Sequence, residues 1–274
     1  MQKSLEERMT ANYEGRVIKL DELFGIADKD LTVYPGELVT IFGPTGANKT
    51  TLAQNIILGY DAKNDIIRKE LQIPTLYLSL ELTDWYTHKR HLQIVSGMKK
   101  SEIQSNFKDI YKFHKEDVNH IVVQTVSPSV DKIKDMVRSI QPRCVVVDYI
   151  DLVEPPKHIR GEYETIKYIS NSLSSMAVNM DLIVIQLSQT SRTYSREEVL
   201  DLYAGKGSGA IENASRKVLG IGGNAKRKDR KVELFKNTDG ELFDVELMWQ
   251  PNFRLMRADA MRNKSSESNR IRMV

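Results

Sequence analysis

Several features are scarce in this chain of 274 residues. There is one cysteine, Cys144, so no disulfide can form within the chain, and no second Cys or His stands near it to suggest a zinc site. It lies in the apolar run Cys144-Val145-Val146-Val147 and reads as a small buried hydrophobe, which fits a reducing, intracellular (cytoplasmic) location. No stretch approaches the ~18 consecutive apolar residues of a membrane span. The segment from Met1 to Thr10 is charged and has no apolar signal-peptide core, so neither a membrane partner nor secretion is expected. No internal repeat is visible. A strong charge of one sign is also missing: 40 basic against 37 acidic residues leave a net charge of +3, too little to imply nucleic acid by itself.

The charge that is present is unevenly placed. Ala210 to Lys236 holds eight basic against three acidic residues, and Pro251 to Val274 six against two. The C-terminal quarter therefore carries a local basic excess. Hydrophobic residues make up 41% and charged residues 28%, enough for a large core with a solvated surface.

Apolar strand-like runs alternate with helical stretches along the chain. Strands are expected at 38–42, 75–80, 121–123, 145–147 and 182–185, and helices at about 49–58, 83–97, 129–139 and 162–179. This alternation predicts an α/β fold with a mainly parallel central sheet flanked by helices. Residues 231–236, 243–249 and 253–257, with a turn at Asp239-Gly240, look like antiparallel strands added at the C-terminal edge. Three regions follow: an N-terminal linker at 1–34 with a short helix at 3–13, a core at 35–257, and a basic tail at 258–274 whose last dozen residues read as disordered.

Gly43-Pro44-Thr45-Gly46-Ala47-Asn48-Lys49-Thr50 follows the phosphate-loop pattern G-x-x-x-x-G-K-[ST], except that Asn48 stands at the second glycine. A strand precedes it and a helix follows, as the chemistry requires: backbone N–H groups and a helix N-terminus converge on a polyphosphate. Lys49 is expected on the β- and γ-phosphates of ATP, Thr50 on Mg²⁺ through its hydroxyl, and Thr51 closes the segment. Asn tolerates the left-handed backbone that a glycine would supply there. The apolar strand ending at Asp148 places an acid suited to Mg²⁺. Glu81, after another strand, either activates the attacking water or is a helix N-terminal acid favoured by the dipole. Gln189 either senses the γ-phosphate or is an ordinary loop residue.

Four segments together resemble the C-terminal RecA-like ATPase domain of DnaB-type replicative helicases: Gly43–Thr51, Leu78–Leu82, Val145–Leu152 with its Asp-Tyr-Ile-Asp-Leu, and Leu187–Arg192 with its Leu-Ser-Gln-Thr-Ser-Arg. Ser208–Glu212 and the hairpin Lys236–Gly240 resemble further family segments. The resemblance covers roughly 35–257. It implies Glu81 as catalytic base, Asp148 as Mg²⁺ acid, Gln189 as the sensor coupling γ-phosphate to DNA, and Lys236 as the hairpin lysine. It implies DNA loops at about 155–163 and 194–208, with Lys157, His158, Arg160, Arg192 and Lys206 as candidate strand contacts. It further implies a homo-oligomeric, hexameric ring with ATP between subunits, single-stranded DNA as substrate, and primase or other replication proteins as partners.

Two departures stand out. Thr238 occupies the position of the family's arginine finger, leaving Arg227, Lys228 or Arg230 as basic residues near enough in sequence to reach a neighbour's nucleotide. With only about 35 residues before the core, the family's separate N-terminal helical domain is not expected, and so compact a helicase suggests a phage or other mobile element. Two other classes stay open: a RecA- or RadA-like recombinase filament, and a weakly hydrolysing nucleotide-binding loader or adaptor.

Overall fold

The computed structural model describes residues 15–27, 29–125, 129–190, 207–223 and 225–263. A short pair, β1 (Ile18–Lys19) and β2 (Thr32–Val33), brackets α1 (Leu20–Phe24). Then come β3 (Leu38–Gly43), α2 (Lys49–Ile57), the small hairpin β4 (Tyr60–Asp61) and β5 (Ile66–Ile67), and β6 (Thr75–Ser79). Three helices follow, α3 (Asp84–Ser96), α4 (Lys100–Ser105) and α5 (Phe107–Val118), before β7 (Ile121–Gln124). Next are α6 (Val130–Ile140), β8 (Cys144–Asp148), α7 (Glu162–Met180), β9 (Ile183–Gln189) and α8 (Ser208–Ala214). The chain closes with β10 (Lys217–Gly222), β11 (Asp229–Asn237), β12 (Asp244–Trp249) and β13 (Leu255–Arg257), and residues 258–263 continue as a helix.

The main sheet runs β13-β12-β11-β10-β3-β9-β8-β6-β7. From β10 to β7 every pairing is parallel, whereas β11, β12 and β13 add antiparallel to the β10 edge. The expected α/β architecture with an antiparallel C-terminal edge is therefore the observed one.

Strand period explains why both sheet faces are covered. Along β8, Cys144 and Val146 point to one core and Val145 and Val147 to the other; along β3, Val39 and Ile41 oppose Leu38. A strand buried on both sides must be apolar at successive positions, which is the pattern that marked these runs in the sequence. One face is covered by α2–α5 through residues such as Leu52, Ile56, Leu92 and Ile110. The other is covered by α6–α8 through Ile133, Ile169, Leu173 and Ile211.

Residues ahead of the boundary expected at 35 also enter the core. Ile18, Leu20, Leu23, Phe24, Leu31 and Val33 are all buried in the first cluster. The helix expected at 3–13 and the tail at 264–274 lie outside the described residues. Cys144 is buried, as expected, and burial pushes its thiol up to about 12, where it is inert. No described helix is long and apolar enough to cross a membrane.

Buried polar groups pin the central strands. The Gln186 amide donates to Thr40 Oγ1 (2.8 Å) and Ser170 Oγ (3.1 Å), and Thr40 and Ser215 share a hydroxyl hydrogen bond of 2.7 Å. β3, β9, α7 and the end of α8 are thereby linked beneath the strand termini. At the start of β3, Glu37 and Lys217 form a buried ion pair at 2.8 Å.

Candidate nucleotide site

Register decides what meets at the carboxyl ends of the parallel strands. Gly43 at the end of β3 faces Gln189 at the end of β9, and Asp148 at the end of β8 faces Ser79 at the end of β6. Glu81 follows β6 by two residues. Four adjacent strands thus deliver the phosphate loop, Gln189, Asp148 and Glu81 to one crevice, where open α/β sheets bind ligands. An open cleft of about 220 Å³ lies there, lined by Thr45, Gly46, Asn48, Lys49, Thr50, Thr51, Glu81, Asp148 and Gln189 together with Leu82, Arg90, Tyr149 and Phe253.

The loop itself is shaped by backbone demands. A Cβ on Gly43 would come within 2.3 Å of the Ile221 carbonyl oxygen, so only glycine lets β10 pass. Gly46 has φ +83°. Asn48 has φ 76°, ψ 33° and precedes the first residue of α2, so the position where the pattern asks for glycine does require the left-handed region here. Asn is among the few residues that enter it readily. The first helical hydrogen bond, Leu52 N–H to Asn48 C=O at 2.9 Å, leaves the amides of Lys49, Thr50 and Thr51 without helical acceptors, directed at the loop.

Lys49 Nζ donates to the carbonyls of Gly43 (2.7 Å) and Pro44 (3.1 Å). Burial pulls its pKa down to about 8, against the opposing pull of Asp148, Asp151 and Glu81. Asp148 is itself buried, and desolvation raises its pKa despite hydrogen bonds that favour the carboxylate. Those bonds are specific: Thr50 Oγ1 donates to Oδ1 at 3.2 Å and Tyr77 OH to Oδ2 at 2.6 Å. A hydroxyl and a carboxylate oxygen side by side at a helix N-terminus suit a hard, oxygen-seeking divalent cation such as Mg²⁺.

Five residues here carry no signal in the sequence. Tyr77 holds the second oxygen of Asp148 from within β6. Beneath it His91 packs edge-on at 5.7 Å, kept neutral because burial lowers its pKa to about 3. Phe253, in the turn between β12 and β13, has φ 63° and reaches the cleft mouth, where the Arg90 guanidinium sits 4.8 Å from its ring centre. Asn55 of α2 fixes this turn by donating to the Phe253 carbonyl (2.9 Å) and accepting from the Leu255 N–H (3.0 Å).

Other predicted residues fall elsewhere. Lys236 lies at the opposite end of the sheet: Val218 pairs with Lys236, whereas Gly222, at the phosphate-loop end of β10, pairs with Lys231. Its Nζ donates to the Glu212 carbonyl at 2.6 Å, and it lines a separate groove with Gly36, Ser174, Asn213 and Thr238. Thr238 is tied back to the Arg216 carbonyl at 2.9 Å. Arg230, one of three basic residues that could have reached a neighbour's nucleotide, turns instead toward its own chain. It is 4% exposed and its guanidinium folds onto the phosphate loop of its own chain. Lys157, His158 and Arg160 are exposed in the loop before α7. Arg192 and Lys206 lie outside the described residues.

Comparison with known proteins matches residues 22–257 to the model of the DnaB-like helicase C-terminal domain. The chain is 25% identical over 231 residues to the replicative DNA helicase DnaB of Treponema pallidum (strain Nichols), covering 79% of this chain and 50% of that protein. It thus spans about half the length of this relative. Among solved structures, one isolated ATPase domain superposes with a TM-score of 0.68 at 20% identity, over 82% of this chain and 86% of that one. A DnaB-like replicative helicase, solved in a study of its interactions with primase, superposes with a TM-score of 0.67 at 20% identity, over 81% and 57%.

Proposed function

The chain belongs to the family of DnaB-like helicase C-terminal domains, and we propose that it is an ATP-driven motor that moves along single-stranded DNA as a homo-oligomeric, hexameric ring and separates duplex strands. The observation that carries this reading is the convergence of Lys49, Thr50, Asp148, Glu81 and Gln189 on one cleft.

The roles follow from position and chemistry. Residues 43–51 cradle the phosphates through backbone amides, and Lys49 leaves its carbonyl partners for the β- and γ-phosphates. Thr50 and Asp148 would hold Mg²⁺, which when bound neutralises charge building on the phosphate oxygens. Glu81, exposed at the cleft, accepts a proton from the attacking water. Gln189, on the strand beside the loop, registers the γ-phosphate and relays its presence to the segment that follows β9. Phe253 offers an aromatic face to the base, backed by Arg90.

The cleft of about 220 Å³ is open to solvent, which leaves room for a second subunit to complete it. Lys236 fits that arrangement. Four residues along β10 separate its register position from the loop end, roughly 13 Å at strand rise, which supports a role at a neighbour's nucleotide rather than at its own. Lys157, His158 and Arg160 would track the DNA backbone, and a primase or another replication protein would dock on the assembled ring. Thr238 favours a second reading, a slow nucleotide-gated adaptor, because it supplies no guanidinium at the finger position.

A forked duplex separates the readings. The motor unwinds it with ATP, and Glu81→Gln stops unwinding while nucleotide still binds. An adaptor leaves the fork intact, and a recombinase filament forms open polymers on single strands without unwinding.

A further inference from the structure

We infer that Arg230 is a positioning residue for the nucleotide site, holding the phosphate loop in its anion-binding shape where Asn48 stands in place of glycine. This rests on the reading that the loop binds a nucleotide.

Arg230 Nε donates to Asn48 Oδ1 at 2.8 Å and to the Ala47 carbonyl at 3.2 Å, and Nη2 reaches the Gly46 carbonyl at 3.4 Å. The other edge of the guanidinium is anchored at the start of its own strand: Nη1 donates to the carbonyls of Arg227 and Asp229, each at 2.7 Å. The side chain therefore bridges β11 to the outer side of the loop. Room for it comes from Gly223, where a Cβ would fall 2.9 Å from Arg230 Cδ and 2.8 Å from the Asp229 carbonyl oxygen.

The geometry has a direct consequence for the anion site. In a peptide unit the C=O and N–H point opposite ways, so fixing the Ala47 carbonyl on the outside turns the Asn48 N–H inward, where a phosphate oxygen would lie. Glycine adopts the required left-handed backbone freely. Asn does so at some strain, and here its side-chain oxygen is clasped by the guanidinium in that conformation. Asn48 and Arg230, 182 positions apart in the chain, thus act as a unit that does the work of one glycine.

Equilibrium binding of a fluorescent ADP with Mg²⁺ tests this in a four-protein cycle: the parent chain, Arg230→Met, Asn48→Gly, and the double variant, with thermal melting to verify folding. Each loss is measured against its own background. Arg230→Met is expected to weaken binding about tenfold beside Asn48, the scale of losing charged hydrogen bonds. In the Asn48→Gly background the loss is expected to fall within about twofold, the limit of independence. Arg230→Lys keeps the charge but cannot span the same acceptors, and it should show the same dependence on background if Arg230→Met does not fold. Equal losses in both backgrounds, or no loss beside Asn48, overturn the proposal while leaving the nucleotide site standing. A folded parent that binds no fluorescent ADP overturns the nucleotide reading, and the role of Arg230 falls with it.

Discussion

Lys49 answers to two opposed influences. Burial pulls its pKa down to about 8, and the carboxylates of Asp148, Asp151 and Glu81 pull the other way. A polyphosphate arriving beside it favours the charged form further, so binding takes up a proton wherever the free protein has lost one. Nucleotide affinity is therefore level below about pH 8 and declines above it, by up to about tenfold per pH unit from this one group. Binding isotherms of Mg·ADP between pH 7 and 9.5 check this, and a flat profile would show that Lys49 stays protonated or makes no phosphate contact. Residues of this kind were legible in the sequence because the phosphate loop is local: eight consecutive positions carry both the pattern and its one exception. Asn48 was even legible as a tolerable exception, since its side chain suits the left-handed backbone found there. Arg230 was not. Alone it is one basic residue in a basic stretch, and nothing local says that its partner lies at the far end of the chain.

At the scale of elements, long apolar runs announced themselves and short or glycine-bearing ones did not. β3, β8 and β9 are buried along nearly their whole length, and the sequence marked all three. β10 carries no such mark because Gly220 and Gly222 interrupt its apolar pattern. The structure supplies the reason for Gly220: a Cβ there would sit 2.4 Å from the Phe235 ring, which packs on Phe42 at 5.6 Å. α4 and α5 carry little mark in the sequence because they bury little, chiefly Ile103, Ile110 and Val118. β10 also holds Lys217 against Glu37 at the far end of β3, both nearly inaccessible. Lys217→Ala strands a buried carboxylate, and urea unfolding should show a loss of about 3–5 kcal/mol. Replacing both partners with apolar residues of similar size should recover most of it. A single variant as stable as the parent would mean that water or another cation reaches Glu37.

At the scale of the whole molecule, the sheet separates two groups of candidate residues. The carboxyl ends of β3, β9, β8 and β6 gather the phosphate loop, Gln189, Asp148 and Glu81. The opposite end carries Lys236 and Thr238 beside α7 and α8. Sequence order could suggest that these residues belong to one activity, but not that they sit at two ends of one sheet, because that depends on strand order and register. An open nucleotide cleft that the hairpin lysine of the same chain does not reach supports the proposal that copies of the chain work side by side. If the cleft is the engine of a nucleic-acid motor, a bound strand must change what happens there. Steady-state ATP hydrolysis by the purified chain, with and without single-stranded DNA and beside Lys49→Ala, measures that coupling. Hydrolysis is expected to be strongly stimulated by the strand and abolished in the variant. A folded, nucleotide-binding chain that hydrolyses no ATP with or without DNA would contradict the motor.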